Sequence, residues 1–486
     1  MDLYIRVKNF GKIRHARVNI SNFTIFVGNN NSGKTQLMEL IYAVMKRVSE
    51  MSPAIEVPQI GGVDAFSIGE REIEALNQWV NQDLNNQIYD IIEKTFNAPI
   101  GIEEIELEFG KADCSYEIYL LTDQTVADLT RRNMLSVEEL TRIVQNKKKL
   151  WVLQIEKQNG RTVKKSYSSK VYFKYFPKNF IKTMEIGSVL SQLVGITSPN
   201  ASDLLFLPAS RMGLMLLYKY YFKNQNQVWE DLVWADDLEP GVESWDLYDE
   251  PDSGILEDGS YENVTGITKP VLDFLSFLQT YNYTERTAQK NKKLIDFIFG
   301  HLIDGTITEK GDATVYTPKG GKKEIPVFVA SSMVNEIVPV IKALTCSQKI
   351  DYIFYDEVET SMHPLKQMEM VKMLNRFNNQ GIRLLVSTHS ETMAAKINNL
   401  LLLSYSDQID DTQNGNRGIR TRPEDLLVSR QIHVYQFRND REDQSMVEEL
   451  EFQKVPYTGY DFRLFNDSTM DLWKEAKQAM GMDDED

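Results

Sequence analysis

Cysteine is nearly absent from this chain: 486 residues carry two, Cys114 and Cys346. Their positions have no metal-ligand spacing, so neither a disulfide framework nor a structural zinc site is expected, and the usage fits a reduced, cytoplasmic setting. Long apolar runs are missing too. None reaches the roughly 18–20 residues of a bilayer-spanning helix, so no membrane partner is expected. A strand pattern begins almost at Met1, so no signal peptide is expected. There is no sustained heptad repeat, internal repeat or low-complexity tract, which excludes a long coiled-coil tether and a solenoid. Positive charge is in deficit. A net charge of −16 excludes nucleic acid held over the whole surface, although not in a local basic groove. With 42% hydrophobic and 26% charged residues the composition is that of a globular protein, long enough for about two or three domain-sized units.

What is present begins with an octet, Gly28-Asn29-Asn30-Asn31-Ser32-Gly33-Lys34-Thr35, which fits the phosphate-binding pattern G-x-x-x-x-G-K-[ST] without substitution. Its context fits as well. The run from Phe23 to Val27 reads as a buried strand entering the loop, and the spacing of Leu37, Met38, Leu40, Ile41, Val44 and Met45 predicts a helix leaving it. Gly and Asn tolerate the positive φ angles that turn successive backbone N–H groups toward one anion. The helix N-terminus adds partial positive charge, Lys34 can reach the outer phosphates, and the Thr35 hydroxyl suits Mg²⁺.

A second cluster lies far downstream. Tyr352 to Tyr355 reads as a buried strand, with Asp356 and Glu357 at its C-terminal end, where α/β sheets place their ligand chemistry. Asp356 can bind Mg²⁺ through water, and Glu357 can orient or deprotonate an attacking water. A further strand, Arg383 to Thr388, runs into His389, which can hydrogen-bond a γ-phosphate and so separate ATP from ADP. A strand is also expected from Ile325 to Ala330. The small hydroxyl residues after it, Ser331 and Ser332 with Asn335, open a helix and offer donors to an anion. One phosphate loop already serves this subunit, so this turn is read as serving a partner's nucleotide. Alternation of strand and helix at this spacing implies α/β architecture with a parallel sheet.

Between about residues 50 and 200 the signals mix: a polar helix from Gly69 to Asn97, an alternating strand from Ile105 to Phe109, then short elements. Charge is segregated. Fourteen Lys or Arg stand against three Glu between Arg131 and Lys182, and thirteen acidic residues with no basic one lie between Glu230 and Glu262. These segments are solvated faces, complementary faces within or between subunits, or a basic face for nucleic acid or an acidic partner, and patterning does not choose among the three. Pro240, Gly241, Pro251, Gly254 and Gly259 mark the acidic stretch as a loop-rich insertion.

The ordered set resembles the ABC-type ATPase heads of the SMC, Rad50, RecF and OLD families. It comprises the early Asn9-Phe10-Gly11 hairpin, the phosphate loop, the Ala330-Ser331-Ser332 turn, the run from Asp356 to Pro364, and Ser387-Thr388-His389-Ser390. Within that group, Leu207-Pro208-Ala209-Ser210-Arg211 and the Asp356–Pro364 run look most like the AAA15/AAA21 ATPases of bacterial anti-phage systems, the ATPase subunits of PARIS and Septu among them. The resemblance implies an ABC-type P-loop head at 1–50 and 200–470, a mixed inserted lobe at 51–199, an acidic insertion at 224–265 and an acidic tail at 471–486. It implies ATP and Mg²⁺ as cofactors. The phosphates would be held by Gly28, Asn29, Asn30, Asn31, Ser32, Gly33 and Lys34, and the metal by Thr35 and Asp356. Glu357 would be the catalytic base, His389 the switch, and Ser331, Ser332 and Asn335 a signature acting on a second copy. Met333 and Val334 stand where that signature has glycines. The implied function is an oligomeric ATP-dependent switch that restrains a separate effector, a Toprim-type nuclease, until a phage-encoded trigger appears. The alternative is a RecF- or Rad50-like repair ATPase binding DNA through residues 131–182. A fused nuclease is not expected, since Asp407, Asp410 and Asp411 are isolated in a polar loop.

Overall fold

The computed structural model describes residues 3–20, 22–51, 65–109, 114–121, 123–145, 149–158, 161–172, 204–218, 267–311, 313–321, 323–405, 421–426, 432–441, 444–453, 459–462 and 471–478. The acidic insertion, Asp407, Asp410 and Asp411, residues 479–486 of the tail, and 146–148, 159–160 and 173–182 of the basic segment lie outside the described residues. In chain order come β1 (Leu3–Phe10), β2 (Ile13–Asn19), β3 (Phe23–Gly28), α1 (Lys34–Glu50), β4 (Ala65–Ile68), α2 (Glu70–Phe96), β5 (Glu104–Phe109) and β6 (Cys114–Leu120). Next are α3 (Asp123–Arg131), α4 (Val137–Gln145), β7 (Lys149–Gln158), β8 (Arg161–Tyr172), β9 (Leu204–Leu207), α5 (Lys269–Thr280), α6 (Glu285–Lys290) and α7 (Lys292–Phe297). Then follow β10 (Gly305–Lys310), β11 (Ala313–Pro318), β12 (Ile325–Pro326), α8 (Ser332–Thr345), β13 (Tyr352–Tyr355), α9 (Pro364–Asn379), β14 (Arg383–Thr388), α10 (Glu391–Ser404), β15 (Ile432–Arg441) and β16 (Gln444–Leu450).

Two compact units divide these elements. One comprises residues 1–21, 44–89 and 101–201; the other comprises 22–43, 90–100 and 202–486. In the first, β1 pairs antiparallel with β2 and with β5. Leu3, Ile5 and Val7 are buried, while Arg6 on the opposite face meets Glu106 at 3.0 Å. Positive φ at Asn9 (48°) and Gly11 (51°) closes the hairpin between β1 and β2. The outer edge of β5 is sealed by α2: the Asn81 amide accepts from Leu107 N at 2.7 Å and donates to Leu107 O at 2.9 Å, and Asn85 donates to Ile105 O at 3.0 Å. Side chains here substitute for a neighbouring strand, satisfying an edge that would otherwise recruit one. A second antiparallel sheet runs β4-β6-β7-β8.

The second unit holds an α/β sheet in the order β16-β15-β3-β14-β13-β9, parallel from β15 to β9 with β16 antiparallel at its edge. The α/β class expected from strand–helix alternation is the class found. Each strand presents alternate residues to opposite faces. Ile25, Val27, Ile353, Tyr355, Leu384, Val386 and Val434 join one core with Ile337 and Val338 of α8, Met370 and Phe377 of α9, and Ile397 and Leu400 of α10. The other face is aromatic: Tyr42 of α1 packs edge-on against Phe206 and Phe354, with ring centroids 5.6 and 5.3 Å apart. Burying each such side chain contributes about 1.5–3 kcal/mol, which fixes the register of the strands and hence the ends that carry the chemistry.

The reading of Ile325–Ala330 as a core strand is corrected. Only Ile325 and Pro326 form a strand, paired antiparallel with β11 in a small β10-β11-β12 sheet, and Val327–Val329 is a 3₁₀ turn. Pro326 supplies no N–H to a ladder. Phe328 and Val329, which a central strand would bury, are 67% and 64% exposed.

Candidate functional site

All the residues singled out for chemistry lie in the second unit, and the parallel sheet gathers most of them at the C-terminal ends of β3, β13 and β14. β3 ends at Gly28, whose φ is 154° and whose α-carbon lies against β15: an added Cβ would stand 2.7 Å from Phe437 O. A side chain there would push the loop's entry strand off its neighbour. Positive φ at Asn31 (59°) and Gly33 (87°) then curls the loop. Asn29, Asn30 and Asn31 are exposed, whereas Ser32 and Lys34 are buried. Ser32 Oγ donates to Asn29 O at 2.8 Å.

Lys34 folds back into this cradle. Its Nζ donates to Gly28 O (3.0 Å), Asn29 O (2.7 Å) and Ser32 Oγ (3.2 Å). Burial pushes its pKa down to about 8, against the attraction of Asp356, Glu357 and Glu359. A desolvated ammonium held by carbonyl dipoles binds a phosphate more strongly than a hydrated one.

Thr35 opens α1 and donates its hydroxyl to Asp356 Oδ2 at 2.8 Å. Asp356 is 1% exposed. Its other oxygen accepts from Ser387 Oγ on β14, and the same hydroxyl accepts from Glu357 N at 2.8 Å. Glu357 takes positive φ (44°), uncommon outside glycine. That angle turns the chain sharply at the strand end, and the Glu357 carboxylate is 40% exposed, 3.4 Å from His389 Nε2. The other ring nitrogen, Nδ1, lies 2.7 Å from Gly28 O and 3.4 Å from Lys34 Nζ. His389 N donates to Glu359 Oε1. A single network thus links the loop, both carboxylates and the histidine.

Ser331, Ser332 and Asn335 stand apart from it. Ser331 caps α8, accepting from Val334 N at 3.4 Å, and Ser332 is exposed at the first turn. Asn335 is 2% exposed and spends its amide hydrogens on Val327 O, Ala330 O and Ser331 O. Among the described residues no hydrogen bond joins these three to the phosphate loop.

Sequence reasoning assigned no role to Ser387 or Arg211. Ser387 was visible only as the first residue of Ser-Thr-His-Ser, and Arg211 as the last of Leu-Pro-Ala-Ser-Arg. Arg211 has no exposed surface, and its Nη1 donates to Pro208 O (2.7 Å) and Asp356 O (2.5 Å). Nothing local in the sequence marks an arginine for complete burial.

Among the described residues no group of three or more His, Cys, Asp or Glu forms a metal cluster, and no helix is long and apolar enough to cross a membrane. The oxygens suited to Mg²⁺ are instead the joined Thr35 hydroxyl and Asp356 carboxylate, hard donors of the kind that ion takes alongside phosphate.

Residues 3–190 match the model of a family described as AAA ATPase domain. The matched span includes the phosphate loop and ends before Asp356, Glu357 and His389. No curated protein matches the chain. Among solved structures it is similar to an Smc head bound to the C-winged helix domain of ScpA, at 12% identity over 94% of this chain and 98% of that one, with a TM-score of 0.33. It is similar to an Smc head with an extended coiled coil bound to the C-terminal domain of ScpA, derived from Pyrococcus furiosus (12%, 93% and 97%, TM-score 0.33). A third is the SMC head domain from Thermotoga maritima (11%, 93% and 100%, TM-score 0.31).

Proposed function

We propose that this chain is a Mg²⁺-dependent ATPase whose nucleotide state controls its assembly with itself and with a separate effector. The observation that carries the ATPase reading is the hydrogen-bonded run from Thr35 through Asp356 and Ser387 to Glu357. It joins the phosphate loop to a half-exposed carboxylate. The match of residues 3–190 to AAA ATPase domains supports the same reading.

The residues divide the work as follows. Loop N–H groups and Lys34 bind and orient the phosphates. Thr35 and Asp356 would hold Mg²⁺, which when bound offsets charge on the phosphoryl oxygens. Glu357 orients the attacking water and accepts its proton. His389 touches Gly28 O and Glu357 together, so it is placed to register whether the terminal phosphate is present.

The finer reading rests on the resemblance of the motif set to anti-phage ATPases, AriA of PARIS first and PtuA of Septu next. On it, at least two copies share ATP sites through Ser331, Ser332 and Asn335, and the assembly restrains a toxic nuclease until a phage protein triggers release. The test is affinity capture of the tagged chain from its own cells, with and without ATP, followed by mass spectrometry. One effector retained in an ATP-dependent manner is expected. Capture indifferent to nucleotide would overturn the switch, and capture of DNA with repair proteins would favour the DNA-repair ATPase.

A further inference from the structure

Among the described residues, one of the largest fully buried side chains is a charged one. Arg211 follows β9 and opens a helical stretch, 211–218, and its guanidinium is enclosed by the protein. Beyond Pro208 O and Asp356 O, its Nη2 donates to Glu357 O at 3.1 Å. Its Nε lies 2.8 Å from Glu336 Oε2 in an ion pair whose side chains are 0% and 3% exposed. Glu336 Oε1 accepts from Met212 N at 3.4 Å, and the guanidinium carbon sits 4.6 Å from the Tyr355 ring centroid.

The two ends of this bridge differ in kind. One end grips the backbone at the strand's turn, where Glu357 has positive φ. Glu357 O also accepts from Thr360 N (3.1 Å) and Thr360 Oγ1 (2.8 Å), while its N–H is held by Ser387. An unfavourable backbone angle persists only when surrounding bonds over-determine it, and Arg211 supplies one of those bonds directly. The other end, Glu336, is the fifth residue of α8, one turn beyond the exposed Ser331 and Ser332. A buried ion pair is a poor source of net stability, because desolvation offsets most of the attraction. Burial pushes the Glu336 pKa up despite the arginine beside it. A pair of that cost ties two elements to one another in a fixed geometry.

We infer that Arg211 is a positioning residue that couples helix α8 to the carbonyl of Glu357, so that engagement of α8 by a second copy sets the aim of the Glu357 carboxylate. The inference rests on the ATPase reading above and adds the route by which one half-site governs the other. A shift of α8 moves Glu336, Glu336 draws the guanidinium, and the guanidinium moves the turn that carries Glu357. Hydrolysis then waits on assembly rather than on nucleotide binding alone.

The experiment compares the whole chain with Arg211→Lys, Glu336→Gln and the double variant, measuring ATP affinity, kcat, KM and the dependence of turnover on protein concentration. Lysine keeps the charge but cannot span three carbonyls and a carboxylate. Glutamine keeps the shape of Glu336 and drops its charge. Both variants are expected to bind ATP within about threefold of wild type and to lose kcat by on the order of tenfold to a hundredfold, the scale of a small misplacement of a catalytic group. The double variant should lose no more than Arg211→Lys alone, and in Glu336→Gln turnover should no longer rise with protein concentration. Unchanged kcat in both single variants, multiplying losses, or a loss shared equally by binding and kcat would overturn the coupling. If Arg211→Lys does not fold, Glu336→Gln decides by the same readouts. Wild type and Glu357→Gln are the references: if wild type turns over no ATP, the ATPase reading itself has failed, and if Glu357→Gln turns over ATP as fast as wild type, Glu357 is not the base. If Glu357→Gln is inactive while the Arg211 and Glu336 variants are normal, only the coupling has failed.

Discussion

Thr35 and Asp356 are separated by 321 positions in the chain, and their side chains meet at 2.8 Å, hydroxyl donating to carboxylate. Two oxygens that differ in charge, one in the first turn of α1 and one just past the end of β13, are thereby held ready for one cation. Thr35→Ser keeps the hydroxyl and should keep Mg²⁺-dependent turnover within a few-fold. Thr35→Ala and Asp356→Asn each weaken a metal whose charge stabilisation is worth several kcal/mol. Their turnover should fall on the order of a hundredfold or more and recover partly at high Mg²⁺. A Mg²⁺ titration of ATP hydrolysis reads this directly, and wild-type behaviour of Thr35→Ala would remove the metal assignment.

Glu357 and Lys34 separate chemistry from binding. Glu357→Gln preserves shape and the backbone turn, so ATP binding should persist while turnover falls by about 10²–10⁴-fold, the usual share of a positioned general base. Lys34→Ala removes the ammonium that three loop oxygens now hold, and nucleotide binding should vanish in calorimetry. Equal turnover in wild type and Glu357→Gln would show that another group takes the proton.

Gly28 is the position where the loop has no steric margin. Gly28→Ala places a methyl 2.7 Å from Phe437 O and 2.9 Å from Phe437 Cβ at a φ of 154°. The nearest contact is backbone, so a smaller residue at 437 cannot relieve it. A loss of about 1–3 kcal/mol is expected from the overpacking, with weaker ATP binding because β3 and β15 must part. Thermal melts beside binding isotherms measure both, and an unchanged melt would mean that the strand spacing opens freely.

How much of this was written in the sequence depends on the range over which each feature is decided. The phosphate loop, β3, β13 and β14 were legible because strand, loop and helix follow one another within a few residues and their periodicities switch at the boundaries. Ile325–Ala330 misled because an apolar run is ambiguous on its own: Pro326 and the exposure of Phe328 are settled by what packs nearby, not by the run. Ser387 carries no marker that it will bridge Asp356 and Glu357. Arg211 is the extreme case. Its burial is licensed by a carbonyl 145 positions away and by a glutamate on a different helix, and charge patterning would assign it to the surface.

Glu39 supplies the pH dependence. It lies on α1 four residues beyond Thr35, is 6% exposed, and accepts from Thr268 Oγ1 at 2.6 Å. Burial pushes its pKa up from 4.5 to about 7, the nearby charge of Asp356 adding to the rise and the Thr268 hydrogen bond opposing it. Below pH 4.5 the carboxyl is neutral in folded and unfolded chains alike. Between 4.5 and about 7 the unfolded chain ionises while the folded one keeps its proton, so this group's contribution to stability is lost as pH rises through that window. At 1.36 kcal/mol per pKa unit the full loss is about 3 kcal/mol. Glu39→Gln cannot ionise and still offers an oxygen to Thr268, so its advantage over wild type should grow by up to about 3 kcal/mol between pH 5 and pH 8. Urea unfolding at both pH values, with EDTA and without nucleotide, gives the comparison. Parallel stability curves for the two proteins would show that Glu39 ionises freely in the folded state, and that the helix behind the phosphate loop carries a charge rather than a proton.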